Sequence, residues 1–323
     1  MASGLSGPVR PVRAAGEGAR DTPIKVRAAG VSIGSNVTLI VLKLAAGAVT
    51  GSVSILTEAM HSSIDLLASV AAWFSVRKAG EPADADHRYG HEKYENLTAA
   101  FEGMLILVGS GVIIYEAVRR LVAQAPLESL GFGIGVMAFS AAANLAVSAY
   151  LYRTARATES PALEGDAAHL RADAFTSGGV LVGLILVEVT DARWIDPAVA
   201  LVVAAAIIVS GVRILTRSGR VLVDEALPDD ELDAIRAAVV PFAERGVVGY
   251  HQLRTRRAGA RRYVDLHVQF SSGTSLEGAH ATAHALQDAI SERLRNTDVL
   301  IHLEPAGNVR PGTEIGPAGP TGG

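Results

Sequence analysis

Six apolar stretches, at about residues 31–50, 54–77, 98–122, 130–154, 168–188 and 197–216, each come near the ~20 residues that a helix needs to cross a bilayer. In hydrocarbon every backbone N–H and C=O must be satisfied within its own segment, so runs of this length predict helices. An even number of crossings returns the chain to its starting side. Hydrophobic residues make up 49% of the 323 and aromatics only 5%, so the apolar content is aliphatic and rich in alanine.

Beyond about residue 220 the texture turns polar and short-period. "DDELDAIRAAVVPFAE" (229–244) opens with acids, which suit the positive end of a helix dipole. "YHQLRTRRA" and "RRYVDLHVQF" alternate around "GA" like a hairpin, "SLEGAHATAHALQDAISERL" reads as an amphipathic helix, and "DVLIHLEP" as a last strand. The expected fold is a membrane all-α bundle of six transmembrane helices plus a C-terminal cytoplasmic α+β domain of order α-β-β-α-β. The expected boundaries are a disordered tail at 1–28, the bundle at 29–220, the α+β domain at 221–305 and a Gly- and Pro-rich disordered tail at 306–323. No compact apolar core ending at a small-residue cleavage site precedes residue 30, so a signal peptide is not expected.

Orientation follows from Lys and Arg, which are enriched in cytoplasmic loops. The first tail holds Arg10, Arg13, Arg20, Lys25 and Arg27; the loop after the second span holds Arg77, Lys78, Arg88 and Lys93; Arg153, Arg156 and Arg171 follow the fourth. The opposing loops offer Arg119, Arg120 and Arg193, so both termini are expected in the cytoplasm, with the bilayer taken as the cell membrane. A net charge of −4 without a clustered basic excess argues against nucleic acid as a partner. With no cysteine, a bound metal must be held by His, carboxylate, amide or backbone oxygen, or water.

"TEAMHSSIDLL" places Glu58, His61 and Asp65 inside an apolar run, and "DAAHLRADAFTSGG" repeats the His-to-Asp spacing at His169 and Asp173. Residues four apart share a helix face, so each pair points one way. Two such helices facing each other present two imidazoles and two carboxylates, a tetrahedral set for Zn²⁺. Each of the four groups costs about 2.5 kcal/mol or more at a helix centre on insertion scales, which a metal site explains better than four satisfied bundle residues. Protonation of the histidines competes with metal and suggests proton-for-metal exchange. Lys43 and Glu58, also within or near the bilayer, are open to snorkelling, to mutual pairing or to proton relay. In "PADADHRYGHEK", His87 and His91 stand four apart, which permits joint ligation, while Asp84 to His87 is equally ordinary turn chemistry. Period two puts His302 and Glu304 on one strand face.

"TGSVSILTEAMHSSID", "PADADHRYGHEKYENL", "HLRAD" and "LVDEALPDDE" together make the chain resemble the cation diffusion facilitator family over about residues 31–305. That resemblance implies a homodimeric exporter of divalent metal in exchange for protons, working by alternating access. It implies a transport site at His61, Asp65, His169 and Asp173, and a loop site at Asp84, His87 and His91. It further implies a cytoplasmic binuclear site at His251, His267, His280, His302 and Glu304, with Glu304 where some members carry Asp, and a charged pair, Lys93 and Asp224, linking the two parts. His61 stands where some bacterial relatives have Asp, which favours Zn²⁺ over Mn²⁺ and leaves Cd²⁺, Co²⁺, Ni²⁺ and Fe²⁺ open. Zn²⁺ is expected both as cargo and as a regulatory ion. A membrane metalloenzyme, which would keep an open coordination position, and a metal sensor without transport are weaker readings.

Overall fold

The computed structural model describes residues 18–50, 53–123, 133–190, 192, 194–306, 313–316 and 319–320. Six long helices come first: α1 (Gly18–Thr50), α2 (Val53–Ala79), α3 (Lys93–Ala123), α4 (Gly133–Thr158), α5 (Pro161–Thr190) and α6 (Ile195–Leu222). At about 1.5 Å per residue each is longer than the ~30 Å hydrocarbon layer, so helix ends project beyond it. Four are apolar enough along a continuous window to span: Asp21–Val49, Lys93–Arg119, Pro161–Val187 and Pro197–Leu222. The remaining two, α2 and α4, have the length, and the apolar run of α2 is interrupted by Glu58, His61 and Asp65. Residues 18–28, expected to belong to a tail, are helical instead and form the first turns of α1; residues 1–17 lie outside the described set.

The helices fall into one compact unit, Asp21–Val223. Within it α3 and α6 approach backbone to backbone. A Cβ on Gly103 would sit 3.1 Å from the Leu215 amide nitrogen and 3.2 Å from the Gly211 carbonyl oxygen, and one on Gly211 would meet Ile106 Cγ2 at 3.0 Å. Small residues at the crossing let the backbones come this near, which is how helices gain packing in a medium as apolar as their own side chains. A second core joins α1, α2, α4 and α5 through Ala28, Ala29, Val76, Leu151, Leu163 and Leu170.

The second unit, from Asp224 onward, contains α7 (Asp229–Val239), a 3-10 segment (Val240–Arg245), β1 (Val247–Ala258), β2 (Arg261–Phe270), α8 (Leu276–Arg293) and β3 (Thr297–Pro305). The single helix expected over 229–244 changes at Val240 because Pro241 has no N–H for an α-helical bond. Strands β1 and β2 are an antiparallel hairpin, and β3 returns parallel to β2 after the α8 crossover. Ala279, Leu286 and Ile290 of α8 press on Val264, Leu266 and Val268 of β2, which fixes the covered face of the sheet. Two short strands, β4 (Thr313–Gly316) and β5 (Gly319–Pro320), extend the order to β3-β2-β1-β4-β5. They fall within the stretch expected as a disordered tail: the open edge of β1 offers unpaired N–H and C=O groups, and β4 takes them at Gly249 and Tyr250.

Candidate metal centres

Within the helical unit, α2 carries Asp65 and α5 carries His169 and Asp173. His169 Nε2 lies 3.1 Å from Asp65 Oδ1 and 3.8 Å from Asp173 Oδ2. One ligand atom from each of the three falls within 4.8 Å of the others. Asp65 is 5% exposed and His169 7%, and His169 Nδ1 has no hydrogen-bond partner among the described residues. Nitrogen and carboxylate oxygen at these separations suit a borderline divalent ion, and burial would make such a cluster expensive without one. The fourth expected ligand, His61, sits on α2 one turn before Asp65; its side chain lies outside the described set, as does that of Glu58. Lys43 donates to Ser62 Oγ at 2.7 Å, which places its ammonium on the α2 face next to His61.

The α2–α3 loop gathers Asp84, His87 and His91. Asp84 Oδ1 accepts from the backbone N–H of Asp86 (3.0 Å) and of His87 (2.6 Å), while Oδ2 stands 3.2 Å from His91 Nε2. Turn chemistry thus uses one carboxylate oxygen of Asp84, and the other is turned to the His91 imidazole. The His87 amide holds the Asp84 carboxyl below the usual carboxylate range. His91 is 2% exposed, and among the described residues Nε2 has only the Asp84 contact and Nδ1 no hydrogen bond, a state that a coordinated ion would relieve. Gly90, at φ +89°, supplies the left-handed residue that brings His87 and His91 to a 4.5 Å ring separation.

In the cytoplasmic unit the register sets His251 beside His267 and His267 beside His302, a row across β1, β2 and β3 on the sheet face away from α8. Glu304, two residues after His302, accepts from His251 Nε2 (2.7 Å) and His267 Nδ1 (2.6 Å). Hydrogen bonds from His251 first and His267 second hold the Glu304 carboxyl below its usual range. His302 stands at the rim, 3.6 Å from Glu304 with its side chain 63% exposed. His280 is not brought to the trio within this chain. It lies on α8, which covers the opposite face of the sheet, and its Nε2 is 3.1 Å from that of His284. Helix position alone could not say which side of the sheet α8 would cover.

Lys93 donates to the Leu222 carbonyl at 3.5 Å in the helical unit, and Asp224 accepts from Arg256 at 3.5 Å in the cytoplasmic unit. Two buried networks were not anticipated. Lys25 of α1 pairs with Glu95 of α3 at 2.8 Å, and Glu95 also accepts from Ser160 at the start of α5. Asp166 of α5 accepts from Ser69 of α2 at 2.9 Å, and Ser69 in turn binds Asn36 and Ser32 of α1, each at 2.9 Å.

Fold and sites define a helical membrane protein with a soluble α+β domain. The chain belongs to the cation efflux family, the cation diffusion facilitators, and is a cation efflux transporter rather than an enzyme: the cation efflux transmembrane domain matches residues 30–223 and the cation efflux protein cytoplasmic domain residues 227–306. It is 35% identical over 275 residues to a transporter of Synechocystis sp., sll1263, covering 85% of this chain and 88% of that one. To the cation-efflux pump FieF of Yersinia pestis it is 34% identical over 267 residues, covering 83% and 88%. Among solved structures, the metal-bound C-terminal domain of the CzcD transporter from Thermotoga maritima is 29% identical, covering 25% of this chain and 93% of that one, with a TM-score of 0.24.

Proposed function

We propose that this transporter exports Zn²⁺ in exchange for protons, by alternating access, as a homodimer in the cell membrane with both termini in the cytoplasm. The observation that carries this reading is the convergence of Asp65, His169 and Asp173, from two different helices, into one buried set of ligand atoms. His61, one turn from Asp65, completes a four-ligand set of two imidazoles and two carboxylates. Such a set holds Zn²⁺ less tenaciously than thiolates do, and protons compete for the same lone pairs, so a pH difference can drive release. The loop and cytoplasmic clusters act as accessory Zn²⁺ sites with mixed nitrogen and oxygen donors. Export of Cd²⁺, Co²⁺, Ni²⁺, Fe²⁺ or Mn²⁺ through the same site is the second reading, and the imidazoles favour the borderline ions among them.

The test is uptake of Zn²⁺ into sealed vesicles carrying the purified protein and a pH gradient. Gradient-dependent uptake is expected, and Asp173→Ala should abolish it while leaving metal binding by the cytoplasmic domain intact. Uptake by Asp173→Ala at near wild-type rate would remove the transport-site assignment. His61→Asp should widen ion choice towards harder cations in a competition assay.

A further inference from the structure

Glu102 of α3 is fully buried, and neither of its carboxylate oxygens has a hydrogen-bond partner. Its carboxylate rests against Gly165 of α5, where a Cβ would collide with it, and the next residue is Asp166. Asp166 is likewise fully buried: one oxygen accepts from Ser69 and the other has no partner. Neither acid takes part in an ion pair among the described residues.

The charged and titratable groups on the packed elements are otherwise engaged. On α5, Glu164 holds Arg217 of α6 through both carboxylate oxygens, at 2.9 and 2.7 Å, and His169 and Asp173 belong to the metal cluster. On α3, Glu95 is paired with Lys25 of α1; on α2, Asp65 contacts His169; Arg213 of α6 is exposed. Two buried carboxylates, one packed on Gly165 and the other on the residue that follows it, with no ion-pair partner among the described residues, disfavour carrying charge together, so the ligand this place calls for is a proton.

We propose that Glu102 and Asp166 form a proton-binding site coupled to the metal site, losing its proton as the metal arrives and regaining it as the metal leaves. This rests on the proton-exchange reading above and assigns its proton to atoms outside the ligand set. Asp166 precedes His169 by three residues and Asp173 by seven, so all three share one face of α5, and Ser69 follows Asp65 by four on α2. The acid pair thus forms a layer one helical turn from the ion, towards the α2–α3 and α4–α5 loops. A divalent charge at that distance favours the ionised pair: the carboxyl O–H bond breaks, the electron pair stays on oxygen and the proton leaves to water on the open side. By reciprocity, reprotonation weakens the hold on the metal.

The test uses the full-length protein. On adding Zn²⁺ to wild type in detergent, the infrared difference spectrum should lose a protonated-carboxyl C=O band that Glu102→Gln lacks. Protons released per Zn²⁺ bound, read with a pH dye, should fall by roughly one in that variant. In vesicles the gradient-dependent part of uptake should fall by roughly tenfold, and Zn²⁺ affinity should fall by a similar factor at high pH while staying near wild type at low pH, where the wild-type pair is already protonated. Asp166→Asn should do the same, and serves if Glu102→Gln does not fold. An unchanged band, proton count and gradient dependence in a folded variant would overturn the inference alone. Uptake by wild type that ignores the gradient would overturn it together with the antiport reading.

Discussion

Glu304 shows what one side chain contributes when each of its oxygens has a separate partner. It joins His251 and His267, which are adjacent only because the β1–β2 register makes them so. Glu304→Ala should weaken Zn²⁺ binding by the cytoplasmic domain at least about tenfold, checked by competition with a chromophoric chelator. The same carboxylate sets an acid limit. Its pKa in the folded protein lies below the unfolded value of about 4.3, so its contribution is complete above that pH and is lost as pH falls through the lower folded value. Thermal scans of metal-free protein between about pH 6 and pH 3 should show an acid-side decline that is shallower in Glu304→Ala. The convergence of Asp65, His169 and Asp173 was legible in the sequence because ionisable residues in apolar helices are conspicuous and a spacing of four fixes a common face. Glu102 and Lys25 went unnoticed because a single acid or base gives no spacing to read; only the fold shows that Glu102 meets Gly165 and that Lys25 meets Glu95.

At the scale of elements, the α3–α6 crossing is limited by backbone and not by side chains. Gly103→Val would bring new carbon atoms against the Leu215 amide and the Gly211 carbonyl, neither of which can rotate away. The helices should separate, with a loss of about 1–3 kcal/mol and a lower melting temperature in detergent. Hydropathy located all six helices but not their ends, since it reports contact with lipid, whereas α1 and α5 continue past the apolar run to Gly18 and Pro161 on internal packing. The β1–β2 hairpin followed from alternation and turn residues, whereas the place of β3 beside β2 came only from the fold. Strand β4 did not, because its pairing depends on the free edge of β1 and not on its own Gly-rich sequence.

For the whole molecule, Lys25, Glu95 and Ser160 tie the ends of α1, α3 and α5 into one buried knot. Glu95→Ala strands a buried ammonium and should destabilise the protein by about 3–5 kcal/mol, while the apolar double replacement Lys25→Met with Glu95→Leu should recover most of that in a thermal-unfolding cycle. The crossover through α8 has another outcome. His251 and His267 leave the ribosome in a hairpin, but their shared acceptor waits on β3, the far side of an 18-residue helix. A nascent chain therefore presents the helical and loop clusters before its cytoplasmic trio has gained its shared carboxylate.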